Sequence, residues 1–203
     1  MKVVPSLVDQ LGTQPARHSC APEITLRTDR LELLATTLAH IDAEMENPPS
    51  LGRLLRVAIP SSWPPGEYGR NALEFFRDQL RAGGPSHVGW YGWYAMVCNA
   101  SGERETLVAA AGYVGPPKDG SVEIGFSVVP AAQGRGYATE IVRALVERAF
   151  EQPEIQRVIA HTYDSNEPST RVLLRCRFLR MGAGGEPGVV KYQIARNARK
   201  ESR

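Results

Sequence analysis

A chain of 203 residues with 42% apolar side chains and a net charge of +2 can bury one core of its own. Its charge is too evenly balanced to present the field that nucleic acid or an anionic membrane selects. Cys20, Cys98 and Cys176 are odd in number and far apart, excluding a disulfide framework or close-paired zinc ligands.

These thiols read as reduced, in a cytoplasmic protein. No apolar run has the length to cross a bilayer, and Met1–Ser6 lead into Asp9 and Gln10 instead of an apolar signal core, so the expected protein is soluble.

Residues 1–22 carry Pro5, Gly12, Pro15 and Pro22 without sustained periodicity and read as a flexible N-terminal extension. One domain is expected over 23–197, followed by a basic tail at 198–203. In chain order come a strand from Ile24 to Ala35, a short helix from Leu38 to Glu46 and a proline-broken loop. A helix from Glu67 to Arg81 follows, with Leu73, Phe76 and Leu80 on one face and Gly83-Gly84 as its stop. Strands at Trp93–Asn99 and Leu107–Val114 meet in a hairpin at Gly102. A turn at 116–120 then leads to a strand at Val122–Val129, completing an antiparallel meander.

The next helix, Gly136 to Glu151, places Ile141, Val142, Leu145, Val146, Ala149 and Phe150 on one face. Arg143, Glu147 and Arg148 fall on the other. A strand at Arg157–Tyr163, a helix after Asn166, and strands near 178–181 and 189–195 close the chain. Three consecutive strands before the crossover helix exclude a doubly wound sheet and predict a mixed α/β (α+β) sandwich.

The junction from Val128 to Glu140 is the most informative segment. A strand breaks at Pro130, passes Gly134 and Gly136, and enters a helix. The first amides of a helix have no intrahelical partner, the helix dipole favours negative charge there, and glycines allow close approach. A pyrophosphate fits such a junction, and a plain strand-to-helix turn also accounts for it. Two nucleotide motifs are absent: Tyr137 and Ala138 stand where a P-loop has Lys and Ser or Thr. Thr139 stands where a dinucleotide fingerprint has its third small residue.

Gln133-Gly134-Arg135-Gly136-Tyr137-Ala138 resembles the Gln/Arg-x-x-Gly-x-Gly/Ala signature of the GCN5-related N-acetyltransferases, the GNAT superfamily. Val122 to Val128 looks like that family's fourth strand. Asn166-Glu167-Pro168-Ser169-Thr170-Arg171-Val172 resembles the Asn-x-x-Ser-x-Arg-Val segment of its RimJ/RimL-like branch, and Thr28-Asp29-Arg30-Leu31-Glu32-Leu33 is similar to that branch's Thr-x-Arg-Leu-x-Leu opening. One departure is Arg177, where the branch has glycine before phenylalanine. The helix there ends either with Arg177 in a left-handed conformation or in another way.

The resemblance implies a GNAT-like mixed, mostly antiparallel central sheet flanked by helices, in which the family's parallel strands four and five, here the Val122 and Arg157 segments, splay apart. It implies acetyl-CoA as co-substrate, its pantetheine arm in the gap, and no metal. Backbone groups of Phe126, Ser127 and Val128 would bind the pantetheine amides as an added strand does. Amides of Gly134, Arg135, Gly136, Tyr137, Ala138 and Thr139 would hold the pyrophosphate, flanked by Gln133 and Arg135. Asn166 would contact the pantetheine and also cap its helix. The partners implied are acetyl-CoA and an amine acceptor, for a monomer or homodimer that binds neither nucleic acid nor membrane.

Acetyl transfer to an amine needs a neutral nucleophile and a partner for the departing thiolate. Deprotonating a lysine-type amine at pH 7 costs about 4 to 5 kcal/mol, an N-terminal α-amine only about 1. Glu123 is the nominated base, acting directly or through water, since alternation places it with Gly125 and Ser127; it also reads as an exposed strand-edge charge. For the sulfur, Ser169 is the leading hydrogen-bond donor or else a capping residue, with Tyr163 and Tyr192 behind it. His18, His40, His87 and His161 are isolated in the sequence, and Ser127 lacks a Gly-x-Ser-x-Gly elbow. Direct attack in a ternary complex is therefore simpler than metal or covalent catalysis.

The stiff stretch Ile59 to Gly66 and the rings between Gly89 and Tyr94 line an acceptor mouth or belong to the core. Three functions compete: acetylation of a protein N-terminus, acetylation of a small amine such as an antibiotic, polyamine or amino acid, and an acyl-CoA-binding module without turnover. An acidic acceptor groove would favour a polyamine or aminoglycoside.

Overall fold

A computed structural model describes residues 23–66 and 68–196; the expected extension at 1–22 and basic tail at 198–203 lie outside the described residues. The strand expected from Ile24 to Ala35 is two strands, β1 (Thr25–Arg27) and β2 (Leu31–Ala35), paired antiparallel with Thr25 opposite Leu34. Thr28 makes the turn: its backbone N–H donates to the Leu31 carbonyl, and its hydroxyl accepts from the Leu31 N–H at 3.0 Å. A threonine side chain that bonds its local backbone competes with strand continuation.

Helix α1 (Leu38–Glu46) starts at Thr37, whose hydroxyl accepts from the His40 N–H. The expected proline-broken loop contains a helix, α2 (Pro48–Leu55), with the Asn47 side chain accepting from the Ser50 N–H. Pro48 and Pro49 fill the first turn, where no N–H is needed, so they start this helix instead of breaking the chain. Helix α3 spans Arg70–Gly83, beginning three residues later than expected; Glu67 lies outside the described residues.

The meander is present as β3 (Gly92–Cys98), β4 (Arg104–Tyr113) and β5 (Ser121–Val128). Helix α4 (Tyr137–Glu151) follows, then β6 (Arg157–Tyr163), α5 (Glu167–Arg175), β7 (Leu179–Ala183) and β8 (Val189–Ala195). All eight strands form one sheet in the order β1-β2-β3-β4-β5-β6-β8-β7, antiparallel throughout except for β5 and β6. This is the mixed, mostly antiparallel α/β sheet that the resemblance implied. Helix α4 buries the predicted stripe of Ile141, Val142, Leu145, Val146, Ala149 and Phe150 against the sheet. Ile41, Leu73, Leu80 and Tyr91 form a smaller core between α1, α3 and the sheet. Trp93 and Tyr94 are fully buried and Tyr91 is buried, so those rings belong to the core.

Arg177 takes the left-handed conformation, at φ 66°. Its N–H donates to the Leu174 carbonyl and the Phe178 N–H donates to the Leu173 carbonyl at 3.0 Å, which is the bond pattern of a Schellman cap. Phe178 and Leu173 are both buried beneath it. Replacing Arg177 with glycine is expected to raise stability by about 1 kcal/mol, because glycine adopts this conformation without a Cβ penalty. Thermal unfolding should shift upward by roughly 2–4 °C.

Candidate active site

Strands β5 and β6 share only three register pairs, Ser121 with Arg157, Val122 with Val158 and Glu123 with Ile159. Beyond them β5 stays with β4 as far as Val128, and β6 stays with β8 as far as Tyr163. The strands therefore part after Glu123, and a cleft of about 740 Å³ opens between them. Gly125, Phe126 and Ser127 line one side; His161, Tyr163, Asn166 and Ser169 line the other.

The structure thus gathers five of the expected residues around one space. Ser169 and Tyr163 face it from the β6–α5 side, and the Asn166 side chain caps α5 by accepting from the Ser169 N–H at 3.1 Å. Tyr192 is not among them. It is buried in β8, its hydroxyl against that of Thr170, because strand alternation turns it into the core.

Glu123 is not part of the cleft lining; it pairs with His161, whose Nδ1 lies 2.8 Å from Glu123 Oε1. His161 is isolated only along the chain. Alternation in β6 puts it on the face of Ile159, whose register partner is Glu123, so pairing the two predicted parallel strands was the signal that could have revealed it.

After β5, Pro130–Ala132 form a short turn, and the Gln133 side chain donates to the Val128 carbonyl at 3.0 Å. Gln133 is thereby turned back on the strand, and Val128 already accepts one hydrogen bond. Gly134 and Gly136 have φ of 74° and 83°, values that only glycine adopts readily. From Gly134 to Thr139, six successive amide N–H groups donate to no group among the described residues; the first paired amide is Glu140, which donates to the Gly136 carbonyl. Unpaired amides converging at a helix start form an anion cradle.

Arg30 braces this loop. Its guanidinium donates to the Arg135 carbonyl at 2.9 Å and to Glu140 Oε2 at 2.8 and 2.6 Å, and lies 4.7 Å from the Tyr137 ring centre. The Thr28 hydroxyl also donates to Glu140. Burial alone would raise the Glu140 pKa, but these hydrogen bonds and the Arg30 charge outweigh it and hold the carboxyl below its ordinary range. The brace accounts for Thr28 and Arg30 of the Thr28 to Leu33 motif, which reach a helix some 110 positions away.

Over the cleft, Gly66 lies so close to Ser127 that an added Cβ would stand 2.5 Å from its hydroxyl. The segment leading to Gly66 is anchored by Glu44, a buried carboxylate of α1. Glu44 accepts from Trp63 Nε1 at 2.6 Å, from the Tyr68 hydroxyl at 3.3 Å, and from the Tyr94 hydroxyl. Burial raises the Glu44 pKa, and the bonds from Tyr94, Trp63 and Tyr68 offset that rise only in part. Among the described residues there is no cluster of three or more metal-ligating side chains, and burial pushes the Cys176 thiol up to about 11. No described helix is long and apolar enough to cross a membrane.

A sheet parted at its parallel junction, with a glycine loop presenting free amides at the end of the same strand, defines an acyltransferase that draws on a coenzyme A thioester. Residues 30–179 match the family model of the acetyltransferase (GNAT) domain. The chain belongs to this family, whose acetyl donor is acetyl-CoA.

The uncharacterised N-acetyltransferase YnaD of Bacillus subtilis strain 168 is 37% identical over 60 residues, which are 30% of this chain and 35% of that protein. The match thus spans about a third of that curated relative. Among solved structures, a candidate ribosomal-protein-serine acetyltransferase from Vibrio cholerae is similar, with a TM-score of 0.56 and 19% identity, covering 87% of this chain and 99% of the other. AAC(6')-Ib in complex with ribostamycin and coenzyme A is similar with a TM-score of 0.55 and 23% identity, covering 86% and 98%. At these identities the two structures establish the shared fold.

Proposed function

We propose that this chain acetylates the α-amine of a protein N-terminus, by direct attack on acetyl-CoA in a ternary complex, as a cytoplasmic enzyme of the RimJ/RimL-like branch. The observation that carries the donor half is the run of six unpartnered amides from Gly134 to Thr139. They take the diphosphate, backbone groups of Phe126 to Val128 take the pantetheine amides, and Asn166 steadies the arm near the thioester. Ser169 Oγ donates a hydrogen bond to the departing sulfur, with Tyr163 beside it.

The acceptor half is supported by charge. The described lining of the cleft holds no lysine or arginine and a single carboxylate, Glu186. A polycation needs several carboxylates to replace its lost hydration, whereas one α-amine needs little neutralisation and little help to deprotonate. The free thiols Cys98 and Cys176 suit the cytoplasm.

Thiol release from acetyl-CoA separates the acceptors. A lysine-free peptide with a free α-amine should surpass an N-blocked lysine peptide, spermidine and ribostamycin by at least about tenfold in kcat/KM. A lead for spermidine or ribostamycin would transfer the function to small amines. Slow thioester hydrolysis with no amine accelerated would leave an acyl-CoA-binding module. In the Ser169→Ala variant, turnover should fall on the order of tenfold to a hundredfold while acetyl-CoA affinity holds; wild-type turnover would end the role of Ser169.

A further inference from the structure

Where β5 and β6 part, the two strands bring together side chains that stand 38 positions apart in the chain. We propose that His161 is the base that takes the proton from the acceptor amine, with Glu123 as its positioning partner. The inference rests on the acetyl-transfer reading above and moves the base role from the carboxylate to the imidazole.

The arrangement has three parts. His161 is in the cleft lining, whereas Glu123 is not part of its described lining. The carboxylate oxygen can only accept, so His161 Nδ1–H donates to Glu123 Oε1 across 2.8 Å. That bond selects the tautomer whose Nε2 carries a lone pair, and Nε2 has no hydrogen-bond partner among the described residues. Gly125 and the imidazole line the same cleft from its two sides. A Cβ built on Gly125 meets nothing within 4 Å, which leaves open space on the β5 side of the cleft that His161 lines.

Other polar groups in the lining serve less well. The Tyr113 hydroxyl donates to the Leu145 carbonyl at 2.6 Å, and Glu186 is exposed on the turn between β7 and β8. The groups facing the imidazole are Glu123 of β5, Tyr163 of β6, Lys191 of β8 as its cross-strand partner, and Glu186.

The protons balance as follows. An ammonium acceptor gives one proton to His161 Nε2, and its nitrogen pair then forms the N–C bond to the thioester carbon. Collapse of the tetrahedral adduct breaks the C–S bond. The thiolate leaves with the second proton of that nitrogen as coenzyme A thiol, and the imidazolium returns its proton to solvent.

Nitrogen-15 NMR of the full chain, with the histidines labelled and His161 assigned by the His161→Gln variant, tests the tautomer without any acceptor. The expected neutral form carries its proton on Nδ1, with Nε2 bare, and the Glu123→Gln variant should lose that preference. A His161 protonated on Nε2 overturns the proposal.

With the α-amine peptide, His161→Gln should lower kcat/KM by roughly five- to tenfold at pH 7, the factor that the cost of deprotonating an α-amine allows, with acetyl-CoA affinity within about twofold. Added imidazole should restore part of the activity of His161→Ala. Turnover of His161→Gln within threefold of wild type sinks the base role alone. Absence of acetyl-CoA binding by the unaltered protein would sink the acetyl-transfer reading itself.

Discussion

Arg30→Ala should weaken acetyl-CoA binding by about 10- to 100-fold in calorimetry, although Arg30 is expected to touch no part of the cofactor. Two effects add. The Arg135 carbonyl loses its donor at 2.9 Å, so the loop is freed to turn an oxygen toward the diphosphate. The Glu140 carboxylate, in the first turn of α4, also loses its cation and repels the same anion. Charge-assisted bonds of this kind are worth about 1.5–3 kcal/mol, and every 1.4 kcal/mol is about tenfold in affinity. The double variant Arg30→Ala/Glu140→Gln should recover part of the loss, since it removes the repelling charge. Equal affinity in the single and double variants would show that only the shape of the loop matters.

Glu44→Ala should cost about 3 kcal/mol, because it strands three donors, Trp63 Nε1 and the Tyr94 hydroxyl in the core and the half-buried Tyr68 hydroxyl, at roughly 1 kcal/mol each. For a chain of this size the unfolding temperature should fall by roughly 6–12 °C. Glu44→Gln keeps one acceptor and should lose about half as much. The sign of the pH dependence follows from the raised pKa of Glu44. Its titration favours the folded state fully below the ordinary carboxylate range, and that contribution is lost as pH rises through the raised value. Glu140, held low, works the other way: its contribution is present above the ordinary range and lost as pH falls through the lowered value. Urea unfolding should therefore find wild type ahead of Glu44→Gln by a wider margin at pH 4 than at pH 8.

The sequence made the central layers legible because their signals are local. The stripe on α4, the glycine punctuation of the cofactor loop and the alternation in β5 and β6 each need only their own neighbours. What escaped is set by distance or by position. Pro48 and Pro49 look like breakers until Asn47 is seen as a cap. Thr28 bends a strand because its hydroxyl answers the chain locally while also serving α4. Tyr192 had the right chemistry on the wrong face. The pairing of His161 with Glu123 could not be read from either strand alone, since it exists only once a crossover helix has laid the two side by side.

The short register between β5 and β6 ties the integrity of the sheet to the donor. Five strands lie on one bank of the parting and three on the other, and only three residue pairs stitch the banks together before α4 spans them. A pantetheine arm laid along β5 would serve as a temporary ninth strand, closing the sheet with a piece of ligand. Loading the donor and finishing the architecture would then be one event, and each round of catalysis would undo and remake part of the fold.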